Sequence, residues 1–260
     1  MKKYFLLLPF LLGPIGLLAQ SGQEISFVGH RGASYLAPEN TQASISLAWE
    51  LGADAAECDI MLSSDQQVLL FHDKNTKKLT GSSYEVAETP WSVLKELRIL
   101  PKDSHRKGYE KETIPLLSTI LSDLPDKRML VIEIKTGPEI IPHLKPILEK
   151  YWKRGEISFI SFNLESVLEA KANWPKVPCY YLSMFKKDLK KQLPVLVAHH
   201  IDGVDLRHSM IDVEVMKECT EAGMEVWCWT VNDPAVALKM KNLGVTAITT
   251  DRPAWLREHL

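Results

Sequence analysis

Glu57 and Asp59 lie two residues apart in the apolar run Ala55–Leu62, and Glu133 and Lys135 repeat that spacing after Met129. Residues two apart on an extended strand share a face. Each pair therefore points one way, with Cys58 turned to the other side. If those faces meet, three carboxylates converge. Two like charges about 5 Å apart repel by about 3 kcal/mol at an effective dielectric of about 20, so three do not stay ionised unaided. A divalent cation resolves the conflict, and an all-oxygen set suits calcium or magnesium rather than zinc. Separate pairing of each carboxylate with Arg31, Lys135 or another cation also resolves it, and spacing does not choose between the two.

Two histidines also end strand-like runs: His30 in Gly29-His30-Arg31-Gly32 and His72 in Leu69-Leu70-Phe71-His72-Asp73. Lone histidines are mostly structural, but a pair beside three carboxylates and an arginine is a more particular set. Two groups titrating near neutrality can divide the work of general base and general acid. Arg31 offers a bidentate grip on phosphate, and Lys135 adds a second positive charge.

These residues need a scaffold that collects strand ends. From residue 25 onward, short apolar runs alternate with amphipathic stretches: strands are expected at 25–28, 55–62, 129–134, 157–162, 179–182, 203–206, 225–231 and 247–250. A helix–glycine–strand cassette recurs around Gly52, Gly223 and Gly244, and Asp233-Pro234 reads as an N-cap followed by proline at the first helical position. In the first helix Asn40 or Thr41 can serve as cap, with Ile45, Ala48 and Trp49 on one face. Such alternation predicts a parallel sheet, and eight strands predict a closed (β/α)8 barrel, whose functional groups sit at the carboxyl ends of its strands. Residues 74–115 break the rhythm and read as an excursion after the second strand.

Met1-Lys2-Lys3, an apolar run to Leu18 and the small or polar residues Ala19 to Gly22 have the order of a secretory signal peptide. Residues 1–20 are thus expected to be a cleaved leader, 21–260 a single barrel domain, and the protein periplasmic or secreted. Cys58, Cys179, Cys219 and Cys228 show neither disulfide-scaffold density nor zinc spacing, and buried free thiols are expected. A net charge of −2 with both signs dispersed argues against nucleic acid and leaves room for a small anion held by local cations.

His30-Arg31-Gly32, Pro38-Glu39-Asn40-Thr41, Glu57-x-Asp59, His72-Asp73, Glu133-Ile134-Lys135, Ser161-Phe162, Trp229-Thr230-Val231-Asn232 and Thr250-Asp251-x-Pro253 follow one another in order. In this the chain resembles the glycerophosphodiester phosphodiesterase family, within the wider group of phospholipase C-like TIM barrels. The resemblance implies one calcium or magnesium ion on Glu57, Asp59 and Glu133, His30 and His72 as the acid–base pair, and Arg31 and Lys135 on the phosphate. It implies hydrolysis in two stages: the substrate hydroxyl beside the phosphate attacks to form a cyclic phosphate, which water opens to give glycerol 3-phosphate and an alcohol. Phe162 and Trp229 are candidates to pack against the glycerol carbons, and Glu39 to hydrogen-bond within the site.

Barrels that cleave phosphoinositides or sphingolipids share the paired histidines and carboxylates, and an inactive barrel binding a phosphorylated ligand is the alternative of another class. A lipid substrate calls for an exposed apolar rim or a docking segment, and the sequence presents neither beyond its leader. An inactive relative is expected to lose a histidine or a carboxylate, and all are present here.

Overall fold

The computed structural model describes residues 24–100 and 108–260; the expected leader and part of the excursion lie outside them. The elements run β1 (Ser26–Gly29), α1 (Gln42–Glu50), β2 (Ala55–Leu62), β3 (Val68–Leu70), α2 (Lys77–Thr80), α3 (Trp91–Leu94), α4 (Leu117–Asp123), β4 (Met129–Ile134), α5 (Ile141–Tyr151), β5 (Glu156–Ser161), α6 (Leu164–Asn173), β6 (Cys179–Ser183), α7 (Lys186–Ala198), β7 (Gly203–Arg207), α8 (Val213–Glu221), β8 (Glu225–Trp229), α9 (Pro234–Leu243), β9 (Ala247–Thr250) and α10 (Pro253–Glu258).

Strands β1, β2 and β4–β9 pair in parallel, and β1 pairs with both β9 and β2, which closes the eight-stranded barrel. Strand alternation divides the apolar residues into two cores. Val28, Ala55, Val131, Ile160, Tyr180, Leu182, Trp227 and Ala247 fill the barrel itself. Their neighbours, among them Cys58, Ile132, Phe159, Val204 and Ile248, face outward and pack under the helices. All four cysteines are buried and free, as expected. Among the described residues no helix is long and apolar enough to cross a membrane.

The strand β3 was not expected. It pairs antiparallel with the end of β2, Ile60 opposite Leu70. Beyond it the excursion packs a small core of its own, in which Leu69, Phe71, Leu79, Val86, Leu94, Ile99 and Ile114 gather against Met61. Phe71 is buried in that core, so the histidine that follows it is anchored to the barrel mouth by packing.

Candidate active site

The carboxyl ends of the strands carry the predicted groups. Glu57 and Asp59 point inward from β2, and Glu133 from β4; one oxygen of each lies within 4.8 Å of the others. Asp59 sits directly opposite Glu133 in the β2–β4 register. Lys135, just past β4, donates to Glu133 Oε1 at 2.8 Å and stands 3.5 Å from Asp59 Oδ1.

The loop after β1 is bent to reach these carboxylates. Arg31 and Asn40 both adopt positive φ, 52° and 56°, which costs strain that surrounding bonds must hold. The Arg31 N–H donates to Glu57 Oε2 at 2.8 Å, and the Arg31 carbonyl accepts from Asn40 N at 3.1 Å. Gly32 has φ +83°, and a Cβ there would lie 2.3 Å from the Ser44 carbonyl carbon, so the loop can lie against α1 only with glycine. Thr41 is the cap of α1, accepting from Ser44 N. That frees the Asn40 side chain, which donates to Asp59 Oδ2 at 2.7 Å and accepts from Asp59 N at 3.0 Å. The Arg31 guanidinium bonds Glu39 at 2.8 Å and stands 3.1 Å from Asp59, which places Glu39 behind the arginine.

These contacts leave the carboxylates unequal. Burial raises Asp59, but Arg31, Lys135 and His72 more than offset it, and its pKa falls below the usual value. Burial, then Asp59 and Glu133, push Glu57 well above its ordinary range, and burial with Asp59 lifts Glu133 to about 7. Glu57 Oε1 and Asp59 Oδ1 are buried without a hydrogen-bond partner. Buried acceptors are rarely left orphaned. Three converging carboxylates with two orphaned oxygens fit a hard divalent cation, whose charge would remove the conflict that keeps protons on the glutamates.

Each histidine is tethered through Nδ1 to a carboxylate, His30 to Asp251 and His72 to Asp73, both at 2.7 Å. Asp251 also accepts from Ser34 Oγ at 3.0 Å and Asn232 Nδ2 at 2.6 Å. Burial works against its charge, but the His30 bond and these donors hold its pKa at about 2. An ionised aspartate only accepts, so Nδ1 carries the hydrogen and Nε2 is the position left for chemistry. The His72 pKa is lowered, by burial first and by Arg31 and Lys135, against the pull of Asp59 and Asp73.

Across the mouth, Phe162 meets Trp229 edge to face at 5.5 Å, and the Lys135 ammonium stands 6.0 Å from the Phe162 ring. A cleft of about 780 Å³ opens beside Glu133, Lys135 and Phe162; its far wall is the excursion, with Lys74, Glu85 and Glu88. All ten predicted site residues thus lie at one end of the barrel, at the ends of β1, β2, β4, β5 and β8 or in the loops that follow β1 and β3.

A profile of the glycerophosphoryl diester phosphodiesterase family matches residues 30–255, nearly the whole described chain. The chain belongs to this family. A glycerophosphodiester phosphodiesterase of Caldanaerobacter subterraneus subsp. tengcongensis is 30% identical over 239 residues, covering 88% of this chain and 95% of its own. Among solved structures, an Oleispira antarctica phosphodiesterase in complex with the product sn-glycerol-3-phosphate superposes with a TM-score of 0.81 at 30% identity, covering 90% of this chain and 96% of that one. The Thermotoga maritima glycerophosphodiester phosphodiesterase shares the fold at a TM-score of 0.75 and 23% identity, covering 90% and 98%.

In this family member the sequence reading left three features without a role. Asp251 and Asn232 stood inside quoted motifs, but only the barrel's closure brings them to His30 from the loops after β9 and β8. Asp205, on the inner face of β7, is buried with one oxygen unpartnered, and burial followed by Glu133 pushes its pKa well up. Its carbonyl accepts from the Trp229 indole at 3.1 Å, which orients the ring at the mouth. The third feature is an apolar rim: Phe162, Met184 and Phe185 are exposed at the ends of neighbouring strands β5 and β6.

Proposed function

We propose that the chain hydrolyses glycerophosphodiesters to glycerol 3-phosphate and an alcohol, with a calcium or magnesium ion on Glu57, Asp59 and Glu133 and with His30 and His72 transferring the protons. The observation that carries this reading is the buried carboxylate trio with orphaned oxygens, flanked by two aspartate-tethered histidines. The Oleispira neighbour, whose structure holds sn-glycerol-3-phosphate, supports a small glycerophosphodiester as the substrate.

When bound, the cation would lower the pKa of the attacking hydroxyl and offset charge on the phosphate oxygens. Lys135 and Arg31 supply positive charge on the same side, while Glu39 and Asn40 fix Arg31 and Asp59 so that these charges do not wander. Phe162 and Trp229 form the apolar surface for the glycerol carbons. His72, held neutral by burial and by neighbouring cations, accepts the hydroxyl proton at Nε2. His30, held through Nδ1 by Asp251, donates to the leaving alcohol from Nε2. For ring opening the two exchange roles.

The test is cleavage of glycerophosphocholine and glycerophosphoethanolamine after EDTA treatment, then with calcium or magnesium restored, alongside His30→Ala. Release of glycerol 3-phosphate that returns with one ion and is lost in the variant is the expected result. No cleavage by folded protein with either ion refutes the reading. The export of the protein, proposed from its leader-like start, is checked by fractionation and by sequencing the N-terminus of the exported chain.

A further inference from the structure

Arg252 fills the unspecified position of Thr250-Asp251-x-Pro253 and lies against two aromatic rings. Its guanidinium carbon is 4.8 Å from the centre of the Tyr35 ring and 4.0 Å from that of Trp255. Both rings are anchored. The Tyr35 N–H donates to the Asp251 carbonyl at 3.0 Å, and Trp255 stacks on His259 with ring centres 4.3 Å apart. Ring contacts engage the faces of a guanidinium and leave the N–H donors at its edge for an acceptor. Among the described residues those donors find none: the Arg252 side chain makes neither an ion pair nor a hydrogen bond.

Arg252 borders a pocket of about 510 Å³ between the loops that follow β7, β8 and β9, where His208, Thr230, Asn232 and Asp233 also form the lining. Positive charge gathers around it. Burial first, then Arg207 and Lys239, lower the His208 pKa, which places both cations beside that ring. Neither Arg207 nor Lys239 has an ion-pair partner among the described residues. The one carboxylate of the described lining, Asp233, is engaged by the start of α9, accepting from Ala235 N at 2.7 Å and Val236 N at 3.4 Å. Asn232 is fixed by the tether of His30: it donates to Asp251 Oδ2 at 2.6 Å and accepts from Thr250 Oγ1 at 2.8 Å and Asp251 N at 2.9 Å. The pocket is therefore rigid on that wall and backs onto the tether, and Arg31 and Lys135 take no part in it.

Donors without acceptors in a concave site are unusual, and unopposed positive charge there concentrates anions. A guanidinium fork matches two oxygens of a tetrahedral phosphate. We propose that this pocket is a second phosphate site, separate from the reacting centre, which takes inorganic phosphate or the phosphomonoester group of a small molecule. Arg252 grips two of the oxygens, and the His208 ring and the Thr230 hydroxyl donate to the others. The site goes beyond the proposed hydrolysis and does not depend on it.

The experiment is isothermal titration calorimetry of the full chain in EDTA, which removes divalent cations that would draw phosphate to the carboxylate trio. Inorganic phosphate is titrated into wild type, Arg252→Gln, His208→Gln and Lys135→Gln, each first checked by circular dichroism. The expected result is one saturable site in the wild type. Its Kd rises about tenfold or more in Arg252→Gln, less in His208→Gln, and changes by no more than about twofold in Lys135→Gln. Should Arg252→Gln not fold, Arg252→Lys keeps the charge and loses the fork, and should bind several-fold more weakly; undiminished binding there overturns the site. Titration of glycerol 3-phosphate separates the two sources. Binding tighter than that of inorganic phosphate, with the same dependence on Arg252, identifies a phosphomonoester, and equal or weaker binding identifies free phosphate. No saturable binding by folded wild type overturns the site. So does binding that Lys135→Gln removes and Arg252→Gln spares, since the phosphate then lies at the reacting centre. Cleavage is not the readout, so either failure leaves the phosphodiesterase reading standing.

Discussion

At the scale of single residues, the two histidines have the same tether and different surroundings. Burial first, and then Arg31 and Lys135, lower the His72 pKa against the pull of Asp59, whereas His30 backs onto an aspartate that also accepts from Ser34 and Asn232. The proposed roles, acceptor for His72 and donor for His30, follow this asymmetry and are separable by leaving group. A phosphodiester with a nitrophenol leaving group needs no protonation, so His30→Ala should lose much less activity on it than on glycerophosphocholine. His72→Ala should lose about a hundredfold or more on both. Equal losses for the two variants on both substrates would remove the assignment. Asp251→Asn keeps the shape but replaces a fixed acceptor with an amide that can turn a donor toward His30. A drop in kcat of about tenfold or more, with KM little changed and the pH–rate profile displaced, is expected. An unchanged profile would reduce Asp251 to a loop anchor.

At the scale of elements, the decisive piece is the loop between β1 and α1, which carries His30, Arg31, Glu39 and Asn40, with Arg31 and Asn40 at positive φ. Gly32→Ala would force a Cβ into the Ser44 backbone at a positive φ. It should destabilise the fold by about 3 kcal/mol and reduce activity in whatever remains folded, read by urea denaturation and by cleavage assay. A fully active, equally stable variant would show that the close approach is dispensable. What the sequence revealed here follows from local pattern. Spacing of two on a strand put Glu57 and Asp59 on one face, and strand–helix alternation with eight apolar runs gave the barrel. What it hid depended on tertiary closure. Asn40 and Thr41 were equal as caps until the fold placed Asp59 beside Asn40. Asp251 reaches His30 across 221 residues of chain. The three-residue strand β3 is too short to show a period, and the apolar rim comes from loops whose sequence does not distinguish presented from buried side chains.

At the scale of the whole molecule, the closed barrel concentrates three acids where water cannot relieve them, so stability, pH and metal are linked. Glu133 has a folded pKa of about 7 against an ordinary value of 4.5. A carboxyl whose pKa is raised by folding favours the folded state when protonated. Metal-free protein should therefore gain stability as pH falls from above about 7 toward 4.5, seen as a rising Tm, before the low-pKa partners Asp59 and Asp251 reverse the trend in stronger acid. Bound cation should flatten that rise and raise Tm near neutral pH, because it binds the ionised folded state. A metal-free Tm that instead falls between pH 7 and 5 would contradict the buried-acid account. The most direct test of the central claim is cleavage of glycerophosphocholine by EDTA-treated protein titrated with calcium or magnesium, beside Glu57→Gln, which keeps the shape of the trio and removes one charge. Activity that saturates with one ion in the wild type, and needs about tenfold or more of it in the variant, is the predicted result. Full activity in EDTA, or a variant with unchanged ion dependence, would contradict a catalytic cation on these carboxylates.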